Sequence, residues 1–120
     1  MLNDAVCFQA VYIVCGYTDL RSGMDRLAAL VEAQTGNKPY VPDTLYLFCG
    51  RDSRKIKALH FDKDGFVLLQ KRLDGSGRFQ WPRNAREARM LTRQEFRWLM
   101  EGLSLDQPKA IRQASKNKAY

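Results

Sequence analysis

A run of four predicted β-strands between residues 45 and 82 constrains the fold of this chain most strongly. The four segments rich in aliphatic and aromatic side chains are residues 45–49, 56–61, 66–73 and 78–81. Glycine, aspartate and serine stand at turn positions between them, with hairpins predicted at residues 62–65 and 74–77. Strands joined by such short loops run antiparallel, because a parallel pair needs a crossover of about a dozen residues or more. The stretch therefore predicts an antiparallel meander.

A strand and a helix are predicted before the meander. Residues 10–15 form an apolar strand, and residues 22–35 follow as a helix. Ser22 is the expected N-cap and Asp25 completes a capping box, while Gly36 ends the helix. The predicted apolar face consists of Met24, Leu27, Ala28, Leu30, Val31 and Gln34.

A second helix is predicted after the meander, over residues 92–102, with Thr92 as the cap and Glu95 completing the box. The preceding residues 83–91 are arginine-dense and end in an apolar pair compatible with a short added strand. The expected apolar stripe of the second helix is Phe96, Leu99, Met100 and Leu103. Together these elements predict an α+β fold, an antiparallel β-sheet meander with two helices packed on one face.

The length of 120 residues is that of one domain, which we expect over residues 1–107 with a basic, flexible C-terminal tail over residues 108–120. No apolar run is long enough to cross a membrane. The three cysteines have no CxxC spacing, so we expect buried, reduced thiols and a cytoplasmic protein rather than a disulfide or a zinc site.

The net charge of +7 is concentrated in the second half of the chain. Residues 1–50 carry three basic and five acidic side chains, whereas residues 51–97 carry thirteen basic and six acidic ones. Such a basic half is typical of a protein with a polyanionic partner. Solubility and protection of sheet edges by lysine and arginine would produce the same bias.

No set of residues in the sequence predicts a catalytic or metal site. Residues 62–65 resemble the start of a calcium loop, but the later ligands are missing, so a hairpin turn is favoured. His60 alternates with apolar residues along its strand and has no acidic neighbour, which favours a packed histidine over a general base. We therefore expect no enzyme activity, cofactor or metal.

The most informative surface is predicted around residues 71–83. Lys71 and Arg72 end one strand, and Arg78 lies beyond the turn on a segment whose Phe79 and Trp81 share a face. An arginine-bearing ribbon of this kind fits a DNA groove or backbone, and aromatic side chains beside arginines suit base stacking. Alternatively, the two aromatic residues belong to the core and the arginines are simply solvated.

Three sequence blocks stand out: TDLRSGMD at residues 18–25, IKAL at 56–59 with DGF at 64–66, and KRL at 71–73 followed by GRFQWP at 77–82. Together they resemble the accessory protein of bacterial insertion sequences of the sixty-six family, the TnpB-type product of a second open reading frame. The matching motif residues are Asp19, Arg21, Asp25, Lys57, Gly65, Lys71, Arg72, Arg78, Trp81 and Pro82. The resemblance covers roughly residues 10–103.

The resemblance implies a non-catalytic role in DNA transposition beside a separate transposase, in the cytoplasm at the bacterial nucleoid. Two hypotheses follow, one with DNA (the element ends) as the partner and one with the transposase alone. The DNA-binding hypothesis assigns the contacts to a basic sheet face or edge formed by Lys71, Arg72, Arg78, Arg83 and Arg86. The interaction-subunit hypothesis predicts an exposed apolar patch that contains Phe96 and Trp98.

Overall fold

The computed structural model of the chain describes residues 8–36, 41–83 and 88–105, which form five strands and two helices. In chain order they are β1 (Ala10–Val14), α1 (Met24–Thr35), β2 (Thr44–Cys49), β3 (Lys55–Asp62), β4 (Gly65–Arg72), β5 (Ala88–Leu91) and α2 (Arg93–Met100). The α+β class is confirmed. Residues 108–120, the predicted tail, lie outside the described part of the chain.

The strands form one five-stranded sheet in the order β4-β3-β2-β1-β5. The β2–β3–β4 meander is antiparallel as predicted, and its two-residue hairpin joins Asp62 to Gly65. β1 pairs with β2 in parallel, so the sheet is mixed, and the prediction of a purely antiparallel sheet was wrong. The physical reason is the connection over residues 15–43, which contains α1 and is long enough to return the chain to the same end of the sheet.

The predicted fourth meander strand at residues 78–81 does not exist, and the predicted hairpin at 74–77 is absent with it. The segment pairs with no strand of the described sheet. Instead, the Phe79 backbone N–H donates to the Ser53 carbonyl over 2.7 Å. Its aromatic side chains are buried in the core on the α2 face, so the alternation reflects packing rather than a ladder. The sheet is completed by β5, the predicted short added strand, which pairs antiparallel with β1.

The two helices lie on opposite faces of the sheet, which corrects the prediction that both pack on one face. Leu27, Ala28 and Val31 of α1 pack on the face formed by alternate residues such as Tyr46 and Phe48. The α2 residues Phe96, Leu99 and Met100 pack on the other face with Phe79, Trp81 and the aliphatic residues Ile13, Leu45 and Leu47. The cause is visible in β2, where all six residues are buried, so both faces need an apolar cover.

The helix ends agree with the sequence except at one cap. Thr92 and Glu95 form the predicted capping box of α2, with Glu95 N donating to Thr92 Oγ1 over 3.0 Å. The N-cap of α1 is Gly23 rather than Ser22, and no side chain caps that end. Gly36 ends α1 in the left-handed conformation, as expected of a C-terminal glycine.

The described cysteines are buried thiols, as predicted. Cys15 and Cys49 lie on the apolar face covered by α2, and neither takes part in a disulfide. Burial raises the pKa of the Cys49 thiol to about 12. Cys7 lies outside the described residues. No helix in the described ranges combines the length and the apolar character needed to cross a membrane.

Candidate nucleic-acid interface

The functional residues gather at one edge of the sheet because β1 and β2 are parallel. Their carboxyl ends meet there, and β3 begins and β4 ends at the same edge. Backbone hydrogen bonds connect the loops: Thr18 N donates to Cys49 O over 2.9 Å and Leu73 N to Arg54 O over 2.8 Å. Loops at the carboxyl ends of parallel strands are a common place for ligand sites in α/β folds.

This edge is strongly cationic, and we call it the basic edge. Its cationic side chains are Arg21, Arg51, Arg54, Lys55, Arg72, Arg78 and Arg83. Its acidic side chains are Asp19, Asp52 and Asp74. Seven cations against three carboxylates give a net charge of +4. At the opposite edge, the described residues before β2 and in the β3–β4 hairpin include Asp43, Asp62, Lys63 and Asp64.

Two of the carboxylates are held in ion pairs with neighbouring arginines. Arg21 binds Asp19 through Nε at 3.0 Å and Nη2 at 2.9 Å, and its backbone N–H donates to the same carboxylate at 3.0 Å. These bonds lower the pKa of Asp19 to about 2. Arg54 binds Asp52 in the same bidentate way, at 3.1 and 3.2 Å, and lowers the pKa of that carboxyl. Both aspartates are therefore ionised and locally neutralised at neutral pH.

Other cations of the basic edge are not held in such ion pairs. Within the described residues, Arg51, Lys55 and Arg72 form no ion pair with a carboxylate. Lys55 and Arg72 are directly opposite each other in the β3–β4 register, so their side chains leave the same face of the sheet. Adjacent like charges that form no ion pair on the protein favour an anionic partner.

A cleft of about 520 Å³ opens between the loops that follow β1 and β2. Its polar and aromatic lining includes Tyr17, Thr18, Arg21, Arg51, Lys55 and Gln70. Gly50 forms part of the wall, where a Cβ would lie 3.1 Å from Leu20 Cδ1, closer than ordinary packing allows. The absence of a side chain at position 50 therefore lets the two loops approach each other.

Arg83 fixes the aromatic side chain at the mouth of this cleft. Its guanidinium lies 5.0 Å from the centroid of the Tyr17 ring, and its Nη2 donates to Ser53 Oγ over 3.3 Å. The Tyr17 side chain remains 43% exposed. A cation over an aromatic face restricts the ring without covering it completely.

The structure places the five predicted DNA-binding residues in three different situations. Arg72, Arg78 and Arg83 lie at the basic edge, and Arg78 acts electrostatically on Asp52. Lys71 pairs with Ile56 and leaves the sheet on the α2 face, opposite to Arg72. Arg86 lies outside the described residues.

The sequence-based prediction missed Tyr17, Arg21, Arg51 and Lys55 as members of the same surface. Arg51 and Lys55 are thirty or more positions away from Tyr17 and Arg21 in the chain, so chain proximity gives no sign of their meeting. The usable signal was the strand–helix–strand order of β1, α1 and β2. That order predicts a parallel pair and hence adjacent loops.

Phe79 and Trp81 belong to the core, which decides between the two alternatives for this segment. They are 1% and 4% exposed, and the Trp81 indole Nε1 donates to the Val14 carbonyl over 2.8 Å. Pro82 accepts a hydrogen bond from Gly16 N over 2.8 Å. Trp81 and Pro82 of the GRFQWP motif therefore connect the segment to the end of β1 through hydrogen bonds. The aromatic rings of the motif are buried and cannot stack on nucleic-acid bases.

Other motif residues have structural roles. Lys57 Nζ donates to the Ser22 carbonyl over 3.4 Å and so connects β3 to the loop before α1. Asp25 lies in the first turn of α1, where a negative charge favours the helix dipole. Gly65 begins β4 after the hairpin, although the left-handed residue of that turn is Lys63, with φ of 55°.

The two residues predicted to bind the transposase are not on an exposed apolar patch. Phe96 is buried in the core, and Trp98 is half-buried on α2. Among the described residues around α2, the large apolar side chains that are exposed are Met90 and Leu103. A replacement of Phe96 would consequently alter folding before it reported on binding.

His60 is half-buried, and its Nδ1 lies 3.3 Å from the Thr44 carbonyl. The Phe8 ring contacts it edge-on, with 4.8 Å between the ring centroids. This is the packed, hydrogen-bonded histidine that the strand pattern predicts. Among the described residues no group of three or more histidine, cysteine, aspartate or glutamate side chains is arranged to hold a metal ion.

The fold and the edge together define a small α+β protein with a cationic cleft at the end of a parallel strand pair. The family model described as IS66 Orf2 like protein matches residues 9–110. The chain belongs to this family, whose members are accessory proteins of transposition. It is also 33% identical to the uncharacterized protein y4hO of Sinorhizobium fredii over 98 residues. These aligned residues make up 82% of this chain and 84% of that protein. No solved structure matches the chain.

Proposed function

We propose that this protein is a non-catalytic accessory factor that binds DNA through its basic edge and acts with a separate transposase. The observation that supports the proposal best is the net charge of +4 on adjacent loops. Three of the cations, Arg51, Lys55 and Arg72, have no carboxylate partner in the described structure. A factor of this kind would act at the bacterial nucleoid.

The phosphate backbone is the favoured target of these side chains. Arg51 and Arg72 are exposed and Lys55 is half-buried, so their charged ends reach solvent. Lysine and arginine contacts to phosphates release condensed counterions, and this supplies most of the affinity in sequence-independent binding. Reading of bases by the segment over residues 78–82 is not part of the proposal, because its aromatic side chains are buried.

The test is a fluorescence anisotropy titration of a labelled duplex that carries the element end, compared with a scrambled duplex. The edge triple variant combines Arg51→Gln, Lys55→Gln and Arg72→Gln. The control triple variant removes the same charge from exposed positions elsewhere: Lys63→Gln, Arg93→Gln and Arg97→Gln. Both variants are first checked for folding by circular dichroism.

The proposal predicts that the edge triple variant loses most of its affinity for both duplexes, whereas the control triple variant keeps it. Equal affinity for the two duplexes in the wild type assigns the contact to the backbone, and a preference for the element end adds base readout. If the folded edge triple variant binds DNA like the wild type, the proposal is wrong. A transposase pull-down would then test the interaction-subunit hypothesis.

A further inference from the structure

We infer that the cleft at the basic edge holds one unpaired nucleotide of single-stranded DNA, with the base against Tyr17 and its phosphate between Arg51 and Lys55. This inference rests on the proposed function and adds a ligand class to it. It joins three observations: a cleft, an exposed aromatic ring at its mouth, and cations without carboxylate partners in its wall.

The cleft has the size and lining that such a ligand requires. Its volume of about 520 Å³ lies within the range of roughly 300–1,000 Å³ that is usual for small-ligand sites. Gln70 contributes an amide to the lining, with donors and an acceptor for the edge of a base. A flat binding surface for duplex phosphates would not need a concave site, so the cleft favours a smaller group that enters it.

Tyr17 supplies the stacking surface. Its side chain is 43% exposed, and Arg83 holds the ring from one side at 5.0 Å. Aromatic side chains stack on unpaired bases with little dependence on sequence, because every base has a π-face. A paired base within a duplex is already stacked between its neighbours and cannot reach the ring without being extruded.

The phosphate contacts follow from the charges around the cleft. Arg51 and Lys55 line it, and neither is paired with a carboxylate of the described residues. The two carboxylates in the wall, Asp19 and Asp52, are each bound by a neighbouring arginine. Their repulsion of a phosphate is therefore compensated, and the cleft keeps a positive potential.

The experiment measures binding of fluorescein-labelled twelve-nucleotide oligothymidine and of a twelve-base-pair duplex at two salt concentrations. Tyr17→Ala removes the stacking surface, whereas Tyr17→Phe keeps the ring. Met90→Ala is the control, because Met90 is a large apolar side chain, 56% exposed, outside the cleft. We expect Tyr17→Ala to weaken oligothymidine binding by about 5- to 150-fold, the range for losing one stacked base, without changing duplex affinity.

In the wild type, oligothymidine should also shift the NMR signals of Tyr17 and Gly50. This second readout does not depend on a variant that folds. The inference is overturned if a folded Tyr17→Ala protein binds oligothymidine like the wild type. It is also overturned if neither the Tyr17 nor the Gly50 signal of the wild type shifts. The proposed function survives that result if the edge triple variant still loses duplex affinity. A wild-type protein that binds neither nucleic acid overturns both.

Discussion

Replacement of Trp81 by phenylalanine tests whether the indole of the GRFQWP motif anchors its segment to the end of β1. The indole is 4% exposed and its Nε1 donates to the Val14 carbonyl over 2.8 Å. Trp81→Phe keeps most of the apolar contact but removes the donor. The lost hydrogen bond and the carbonyl left unpaired cost about 1–3 kcal/mol, and the smaller ring leaves a cavity that adds about 1 kcal/mol.

We therefore expect Trp81→Phe to lower the free energy of unfolding by about 2–4 kcal/mol. For a domain of this size, that corresponds to a fall in Tm of roughly 10 °C in a thermal melt followed by circular dichroism. Gln80→Ala is the matched control, since the adjacent side chain is exposed and should change stability by less than about 0.5 kcal/mol. A Trp81→Phe protein that melts like the wild type would contradict this structural role of the indole.

Three further predictions concern single side chains near the same edge. The Thr18 hydroxyl is buried without a hydrogen-bond partner in the described structure. Thr18→Val should therefore raise the free energy of unfolding by about 1 kcal/mol. A variant with a lower Tm than the wild type would contradict this prediction. The pKa of the Asp19 carboxyl is about 2, below its usual value of 3.8. The stabilisation from its ion pair is therefore present above pH 3.8 and is lost as the pH falls through 2. An NMR titration of Asp19 should give a midpoint of about 2, and Arg21→Gln should raise that midpoint. Burial raises the pKa of the Cys49 thiol to about 12. After treatment with a thiol reagent at pH 8, mass-spectrometric mapping should therefore find Cys49 unmodified. Labelling of Cys49 within minutes in the folded protein would contradict its burial.

Local signals in the sequence predict those elements whose contacts are close in the chain. Thr92 and Glu95 are three residues apart, so the capping box of α2 could be recognised directly. The β3–β4 hairpin is equally local, because its two strands are joined by two residues. The opposite placement of the helices depends instead on the two-sided burial of β2, which a continuous apolar run indicates only weakly.

The segment around Phe79 shows why alternation alone was misleading. Period-two burial predicts which side chains share a face, but it does not show whether the backbone has a strand partner. Here the Phe79 N–H bonds to the Ser53 carbonyl, and the ring enters the core from outside the ladder. A single sequence contains no signal for this long-range contact.

The basic edge was only partly predictable for a related reason. Arg72 was identified, but its neighbour Lys71 was assigned to the same surface although consecutive strand residues point to opposite faces. Arg51 and Lys55 were missed because they join Tyr17 only through the parallel pairing of β1 and β2. The charge bias of residues 51–97 predicted a cationic surface, and the topology determines where it lies.

The salt dependence of duplex binding shows whether the basic edge contacts DNA phosphates. If Arg51, Lys55, Arg72 and Arg83 each meet one phosphate, log K should fall against log salt with a slope of about −3.6. The edge triple variant removes three of these contacts, so its slope should shrink to about −0.9, while the control triple variant should keep the wild-type slope. Equal slopes for the wild type and the folded edge triple variant would contradict DNA binding through the basic edge.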